Sequence, residues 1–218
     1  MRNENKIVIF DWGGVVESHK EGEYNYLSAK IDTINSLVKK ELDKNMIIEK
    51  WNECNYDENG KCISETFKKE DVQAWFGKIK KVFNLQCNYD EFHDIYQETF
   101  DKVHFYKEVV EYAHSLKEKC KIGILSNLCS LDKCRIDKHY NLSKFDYVWL
   151  SFEMECKKPN EEIYIKVEQD CKIKPENILF IDDVVQNINT AKQRGWNVCN
   201  AYGYELDSIK KAVEEFLN

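Results

Sequence analysis

Lys6-Ile-Val-Ile-Phe-Asp11-Trp-Gly13-Gly-Val-Val16 is the stretch on which the reading of this chain turns. An apolar run of β-forming residues stops on one aspartate and passes at once into two glycines. Open α/β sheets place their ligands at the carboxyl ends of strands, and Asp11 falls at such an end. Gly13 and Gly14 let the backbone approach a ligand that a Cβ would obstruct. A carboxylate held there suits attack on an electrophile or coordination of a hard cation. A strand followed by a turn that begins with Asp is the plainer alternative.

The 218 residues, 43% of them apolar and 13% aromatic, suffice for one large domain or for a core with a smaller insert. A formal net charge of −7 at pH 7 speaks against a nucleic-acid or anionic-membrane surface. No apolar run reaches the roughly 18 residues that a membrane span needs. MRNENK leads straight into a strand and lacks the apolar stretch of a signal peptide, so a cytoplasmic location is expected. The nine cysteines (54, 62, 87, 120, 129, 134, 156, 171 and 199) are scattered and lack the paired CxxC spacing of a zinc site. Most are expected to be reduced and partly buried. Nothing in the sequence fixes an oligomeric state.

The texture of the chain changes twice. Between about residues 20 and 103, apolar residues recur at three- and four-residue steps, which predicts helices over Tyr24–Trp51, Ser64–Val82 and Tyr89–Val103. A turn-like patch, Asn55 to Gly60, separates the first two. Beyond His104, helices alternate with short apolar strands at Ile122–Ser126, Tyr147–Ser151, Ile178–Asp182 and Trp196–Cys199. That alternation implies right-handed βαβ units and a parallel sheet, to which the N-terminal strand belongs. The expected architecture is α/β: a three-layer Rossmann-like core with a parallel sheet, residues 1–18 and 104–218, plus an all-helical cap inserted at residues 19–103.

The strand ends then read Asp11, Ser126-Asn127, Glu153 to Lys158-Pro159, and Asp182-Asp183. Asp11, Asp182 and Asp183 form a cluster of three carboxylates if their strands are adjacent. Such a cluster is costly unless a cation neutralises it, and an oxygen-rich site suits Mg²⁺. The Ser126 hydroxyl and the Asn127 amide can donate to a substrate oxygen, and Lys158 is a point charge suited to a phosphate. Together these groups describe phosphoryl transfer. Each also has a structural alternative: Ser126-Asn127 or Asp182-Asp183 capping the helix that follows, and Lys158 a surface residue ahead of a proline in a first helical turn.

At these positions the chain resembles the haloacid dehalogenase superfamily, in the branch with a helical cap after the first motif. The matching pieces are Ile9-Phe-Asp11-Trp-Gly-Gly-Val15, Leu125-Ser-Asn127, Lys158-Pro-Asn-Glu-Glu-Ile-Tyr164, and Ile178-Leu-Phe-Ile-Asp-Asp183 with Asn187 and Gly195-Trp196. The resemblance implies that Asp11 is the nucleophile and forms an aspartyl-phosphate. It implies that Ser126 binds the transferring group, with Gly13, Gly14 and Asn127 lining the site, and that Lys158 steadies both that group and the carboxylate. Mg²⁺ would be held by Asp11, Asp183, the Gly13 carbonyl and, through water, Asp182, with Asn187 supporting the shell. The partner implied is a small phosphorylated metabolite.

One departure stands out. Phosphatases of this superfamily usually carry a second aspartate two residues after the nucleophile, where it protonates the leaving group and activates water. Here that place is Gly13. General acid–base help is worth about 10²–10⁴ in rate. A similar phosphatase branch also carries Asp-x-Gly, a leaving group of low pKa needs little protonation, and Glu17, His19 or a cap residue are candidates to supply the proton. Two other activities stay open: a metal-independent 2-haloacid dehalogenase, and a non-catalytic protein that binds phosphate or a partner.

Overall fold

The protein is described here from a computed structural model, over residues 2–56 and 69–218. Cys62, the start of the expected helix at Ser64 and most of the turn-like patch before Gly60 lie outside the described residues.

Five strands form one parallel sheet: β1 (Asn3–Phe10), β2 (Cys120–Ser126), β3 (Tyr147–Leu150), β4 (Ile178–Asp182) and β5 (Asn197–Asn200). Their order is β3-β2-β1-β4-β5, so β1 lies in the middle and pairs with β2 on one side and β4 on the other. A central strand covered on both faces has no polar alternation, and Ile7, Val8, Ile9 and Phe10 are all buried. Phe10 pairs with Ile124 and with Ile181, which puts the next residue of each strand at one edge of the sheet. The α/β, Rossmann-like expectation holds.

The chain divides into two compact units. The first comprises Met1–Ser18, Phe105–Asn127 and Asn141–Asn218, of which residue 1 is outside the description. It contains the sheet. One of its cores joins Ile7 and Ile9 to Tyr164, Val167, Phe180 and Trp196. Its helices are α5 (Lys107–Ser115), α7 (Ser151–Met154), α8 (Glu161–Cys171), α9 (Val185–Gln193) and α10 (Leu206–Leu217).

The second unit, His19–His104 with Leu128–Tyr140, is helical: α1 (Tyr26–Val38), α2 (Lys44–Cys54), α3 (Lys69–Val82), α4 (Tyr89–Phe100) and α6 (Ser130–His139). The stretch Tyr24–Trp51, which reads as one helix, is two. Lys39 ends α1 in the left-handed region at φ 52°, and the Asp43 side chain starts α2 by accepting from Met46 N–H. No glycine marks that break, and a lysine is an uncommon residue for such a cap. Trp51, Trp75, Phe76, Phe92, Tyr96 and Phe100 pack into one aromatic core of this unit. Helix α6 groups with these helices, although it falls between β2 and β3 in sequence.

No helix among the described residues is long and apolar enough to cross a membrane. The cysteines other than Cys62 are free thiols, and five of those eight (Cys54, Cys87, Cys120, Cys156 and Cys171) are buried.

Candidate active site

Parallel strands β2, β1 and β4 end side by side; the last residues of β2 and β4 and the residue after β1 bring Ser126, Asp182 and Asp11 to one edge of the sheet. Asp11 follows β1 and donates its N–H to Ile181 O at 2.9 Å, which carries the ladder one residue further. Its Oδ1 accepts from Trp12 N–H at 2.6 Å, leaving Oδ2 for a cation.

That cation is Lys158. Its Nζ lies 2.8 Å from Asp11 Oδ2, 2.7 Å from Asp182 Oδ2 and 2.9 Å from Leu125 O. An ammonium has three N–H donors, and all three are accounted for. Lys158 is only 2% exposed, so it is not the surface lysine of the plainer reading. Burial alone would lower the Lys158 pKa; the Asp11 and Asp182 charges outweigh it and hold the group above its usual value. Burial raises Asp182 to about 7 against the downward pull of Lys158, and the neighbouring Asp11 charge adds to the rise.

Asn127 fixes the lysine from behind. It neither starts nor caps the next helix, whose N-cap is Cys129. Its Oδ1 accepts from Lys158 N–H and its Nδ2 donates to Lys158 O, both at 2.9 Å. Asn187 comes from α9 and donates Nδ2 to both oxygens of Asp182, at 3.1 and 3.0 Å. Tyr164 donates its hydroxyl to Asn187 O at 3.0 Å. Asp182 Oδ1 also accepts from Val184 N–H at 2.7 Å, a local turn; the N-cap of α9 is Val184 and no side chain caps that helix, so the capping alternative for Asp182-Asp183 does not hold.

Asp11, Asp182 and Asp183 each offer an oxygen, and these lie within 4.8 Å of one another. Asp182 is fully buried and engaged by three donor groups, whereas Asp183 is only half-buried. Three carboxylates set against one ammonium carry an excess of negative charge, and the donor set is all oxygen. Both properties fit a hard divalent cation such as Mg²⁺. Gly14 makes room for the cluster: it sits at φ +79°, and a Cβ there would overlap the Asp183 carboxyl.

Gly13, half-exposed, is bridged to Glu17, and Gly14 N–H donates to Glu17 O at 2.7 Å. Glu17 is thus a buried neighbour of the position without a carboxylate. His19 is exposed, belongs to the helical unit and packs its ring edge-on to Tyr26 at 5.1 Å.

Asn200 is the residue that sequence reading missed. It ends β5, and its Nδ2 donates to Asp182 O and Asp183 O, both at 3.0 Å. The signal for it is a polar residue at the end of the fifth strand.

A model of the haloacid dehalogenase-like hydrolase family matches residues 24–201. No curated protein matches the chain. Among solved structures, the chain is similar to a predicted HAD-like family hydrolase from Porphyromonas gingivalis, with a TM-score of 0.66 and 21% identity over 97% of this chain and 98% of that one. The HAD family enzyme BT-2542 of Bacteroides thetaiotaomicron, in complex with magnesium and inorganic phosphate, gives 0.62 and 20% over 89% and 92%. The L-2-haloacid dehalogenase of Xanthobacter autotrophicus gives 0.58 and 16% over 88% and 76%. At these identities the likeness is one of fold.

Proposed function

This chain belongs to the haloacid dehalogenase-like hydrolase family, and on that premise we propose that it is a Mg²⁺-dependent phosphatase of small phosphorylated metabolites. The observation that carries the proposal is the trio Asp11, Asp182 and Asp183 with Lys158 bridging the first two. A magnesium- and phosphate-bound relative of the same fold supports it.

Asp11 is the nucleophile. One of its carboxylate oxygens attacks phosphorus, the ester P–O bond breaks, and the alcohol leaves with a proton. Water then attacks the phosphorus of the aspartyl-phosphate, releasing inorganic phosphate and restoring the carboxylate. Lys158 aims the Asp11 carboxylate through their 2.8 Å ion pair. Ser126, with Gly13, Gly14 and Asn127, lines the place of the transferring group. Asp11, Asp183 and the Gly13 carbonyl would hold Mg²⁺, with Asp182 joining through water and Asn187 and Asn200 steadying the second carboxylate pair. Bound there, the ion would neutralise charge on the transferring phosphoryl group. With Gly13 in the usual acid–base place, proton delivery falls to Glu17 or is spared by a leaving group of low pKa. We read residues 19–103 as the insert that selects substrate.

A dehalogenase uses the same aspartate on carbon and needs a cationic clamp rather than a metal. The N–H donors of Lys158 are already taken by protein oxygens, which favours the phosphatase. Acid quenching after incubation with acetyl phosphate and Mg²⁺ tests the central step. A phosphoryl adduct is expected on Asp11 and absent in Asp11→Asn; an adduct elsewhere, or none with phosphate still released, overturns it.

A further inference from the structure

Strand β5, Asn197–Asn200, carries an asparagine at each end, and both spend their amides on β4 or its flanks. At its start, Asn197 Nδ2 donates to Glu176 O at 2.8 Å and to Ile178 O at 3.3 Å. At its finish, where Asn200 pairs with Asp182 in the sheet, Asn200 Nδ2 donates to Asp182 O and Asp183 O, both at 3.0 Å. The two N–H groups of one amide thus meet two successive carbonyls. Both asparagines are exposed, so replacing either leaves no cavity in the core.

The bonds at Asn200 close a ring around the carboxylate cluster. Asn200 holds Asp183 by its main chain, and three residues on, Gly203 N–H donates to Gly14 O at 2.9 Å. Gly14 in turn lies against the Asp183 carboxyl, with no room there for a Cβ. Gly203 approaches the turn after β1 just as closely, because a Cβ on it would overlap Val15 O and the Tyr106 ring. Ala201 N–H adds a bond to Asp182 O at 3.3 Å. One short stretch, Asn200–Gly203, is therefore bonded both to the turn that follows Asp11 and to the main chain of Asp182 and Asp183.

We infer that this stretch is a clasp, in which Asn200 is a positioning residue that makes the carboxylate site select Mg²⁺ over the larger Ca²⁺. Mg²⁺ demands near-octahedral oxygens at about 2.0–2.1 Å, whereas Ca²⁺ takes about six to eight at roughly 2.3–2.6 Å in flexible geometry. Discrimination then depends on how far the ligands can spread. Asp11 is held by Lys158 and Trp12 N–H, and Asp182 by Lys158, Asn187 and Val184 N–H. Asp183 is the least buried of the three. The clasp restrains it twice, at its main chain through Asn200 and at its carboxyl through Gly14. Asn200 acts through Asp183 and needs no contact with the ion.

The inference rests on the Mg²⁺ site proposed above, and the test separates the two. Calorimetric titrations with Mg²⁺ and with Ca²⁺ are run on the parent, Asn200→Ala and Asn197→Ala. Asn197 makes bonds of the same kind between the same strands at the end away from the cluster, so its variant reports the loss of an edge-strand amide alone. Asn200→Ala is expected to weaken Mg²⁺ binding by on the order of tenfold and Ca²⁺ binding less, so the ratio of the two affinities falls. Asn197→Ala should keep the parental ratio. A ratio that Asn200→Ala leaves unchanged, or that both variants lower equally, overturns the clasp and leaves the metal site standing. A parent that binds neither ion overturns the metal site and the clasp with it.

Discussion

The side-chain amide of Asn127 and the main chain of Lys158 bind each other reciprocally, N–H to Oδ1 and Nδ2 to O, each at 2.9 Å. The pair joins the end of β2 to the loop before α8, and it sets where the lysine starts. Its consequence is the aim of Nζ at Asp11 and Asp182.

Asn127→Ala therefore removes both bonds and leaves the ammonium free to drift. Small misplacements of a catalytic group cost on the order of 10²-fold in rate. A fall of about that size in kcat for an aryl phosphate is expected, with the circular dichroism spectrum unchanged. An unchanged kcat would show that Lys158 is placed by its carboxylate partners alone.

Lys158→Met leaves Asp11 and Asp182 buried beside each other without their ammonium. Breaking a buried pair by removing one partner costs roughly 3–5 kcal/mol. Denaturant unfolding in EDTA should show a loss of that order, partly recovered by Mg²⁺ through its preference for the folded state. A variant as stable as the parent would mean that the two aspartates are not both ionised.

Gly14→Ala places a methyl group on the Asp183 carboxyl at a backbone angle, φ +79°, that suits glycine. Asp183 must move, so Mg²⁺ affinity measured by calorimetry is expected to drop at least tenfold. The effect is local: unfolding free energy should change by about 1–2 kcal/mol. Undiminished Mg²⁺ binding would remove Asp183 from the ligand set.

Much of this arrangement could be read from the residues alone. The run Ile7–Phe10 and the later strand–helix alternation carry the parallel sheet, because buried central strands are apolar on both faces. The polar strand ends led to Asp11, Ser126, Lys158 and Asp182. The strand order β3-β2-β1-β4-β5, which makes those ends neighbours, depends on crossover packing that no local pattern records. The break at Lys39 was invisible because it uses neither glycine nor proline. Asn127 looked like a capping residue, since its bonding partner lies 31 positions away. Helix α6 reads as a crossover helix by position, and its packing against the helical unit is a tertiary choice.

A pH test lies away from the site. Glu168 accepts from Arg194 Nε at 2.8 Å, from Arg194 Nη2 at 2.7 Å and from Trp196 Nε1 at 2.8 Å. Burial pushes its pKa up, but the Arg194 and Trp196 hydrogen bonds and the arginine charge bring it below the usual 4.5. A carboxyl depressed in the folded state stabilises fully above its unfolded pKa, and that stability is lost as pH falls through the folded value. The Tm gap between the parent and Glu168→Gln should thus be widest near neutrality and close as pH drops below 4.5. A gap independent of pH would mean that the ion pair contributes nothing.

Release of inorganic phosphate from a panel of small phosphate esters, in Mg²⁺ and in EDTA, with Asp11→Asn run alongside, tests the central claim most directly. The expected result is turnover of at least one ester in Mg²⁺, lost in EDTA, restored by added Mg²⁺ and abolished by Asp11→Asn. Phosphate release that survives Asp11→Asn, or halide release from a 2-haloacid in EDTA with no phosphate ester hydrolysed, would contradict it.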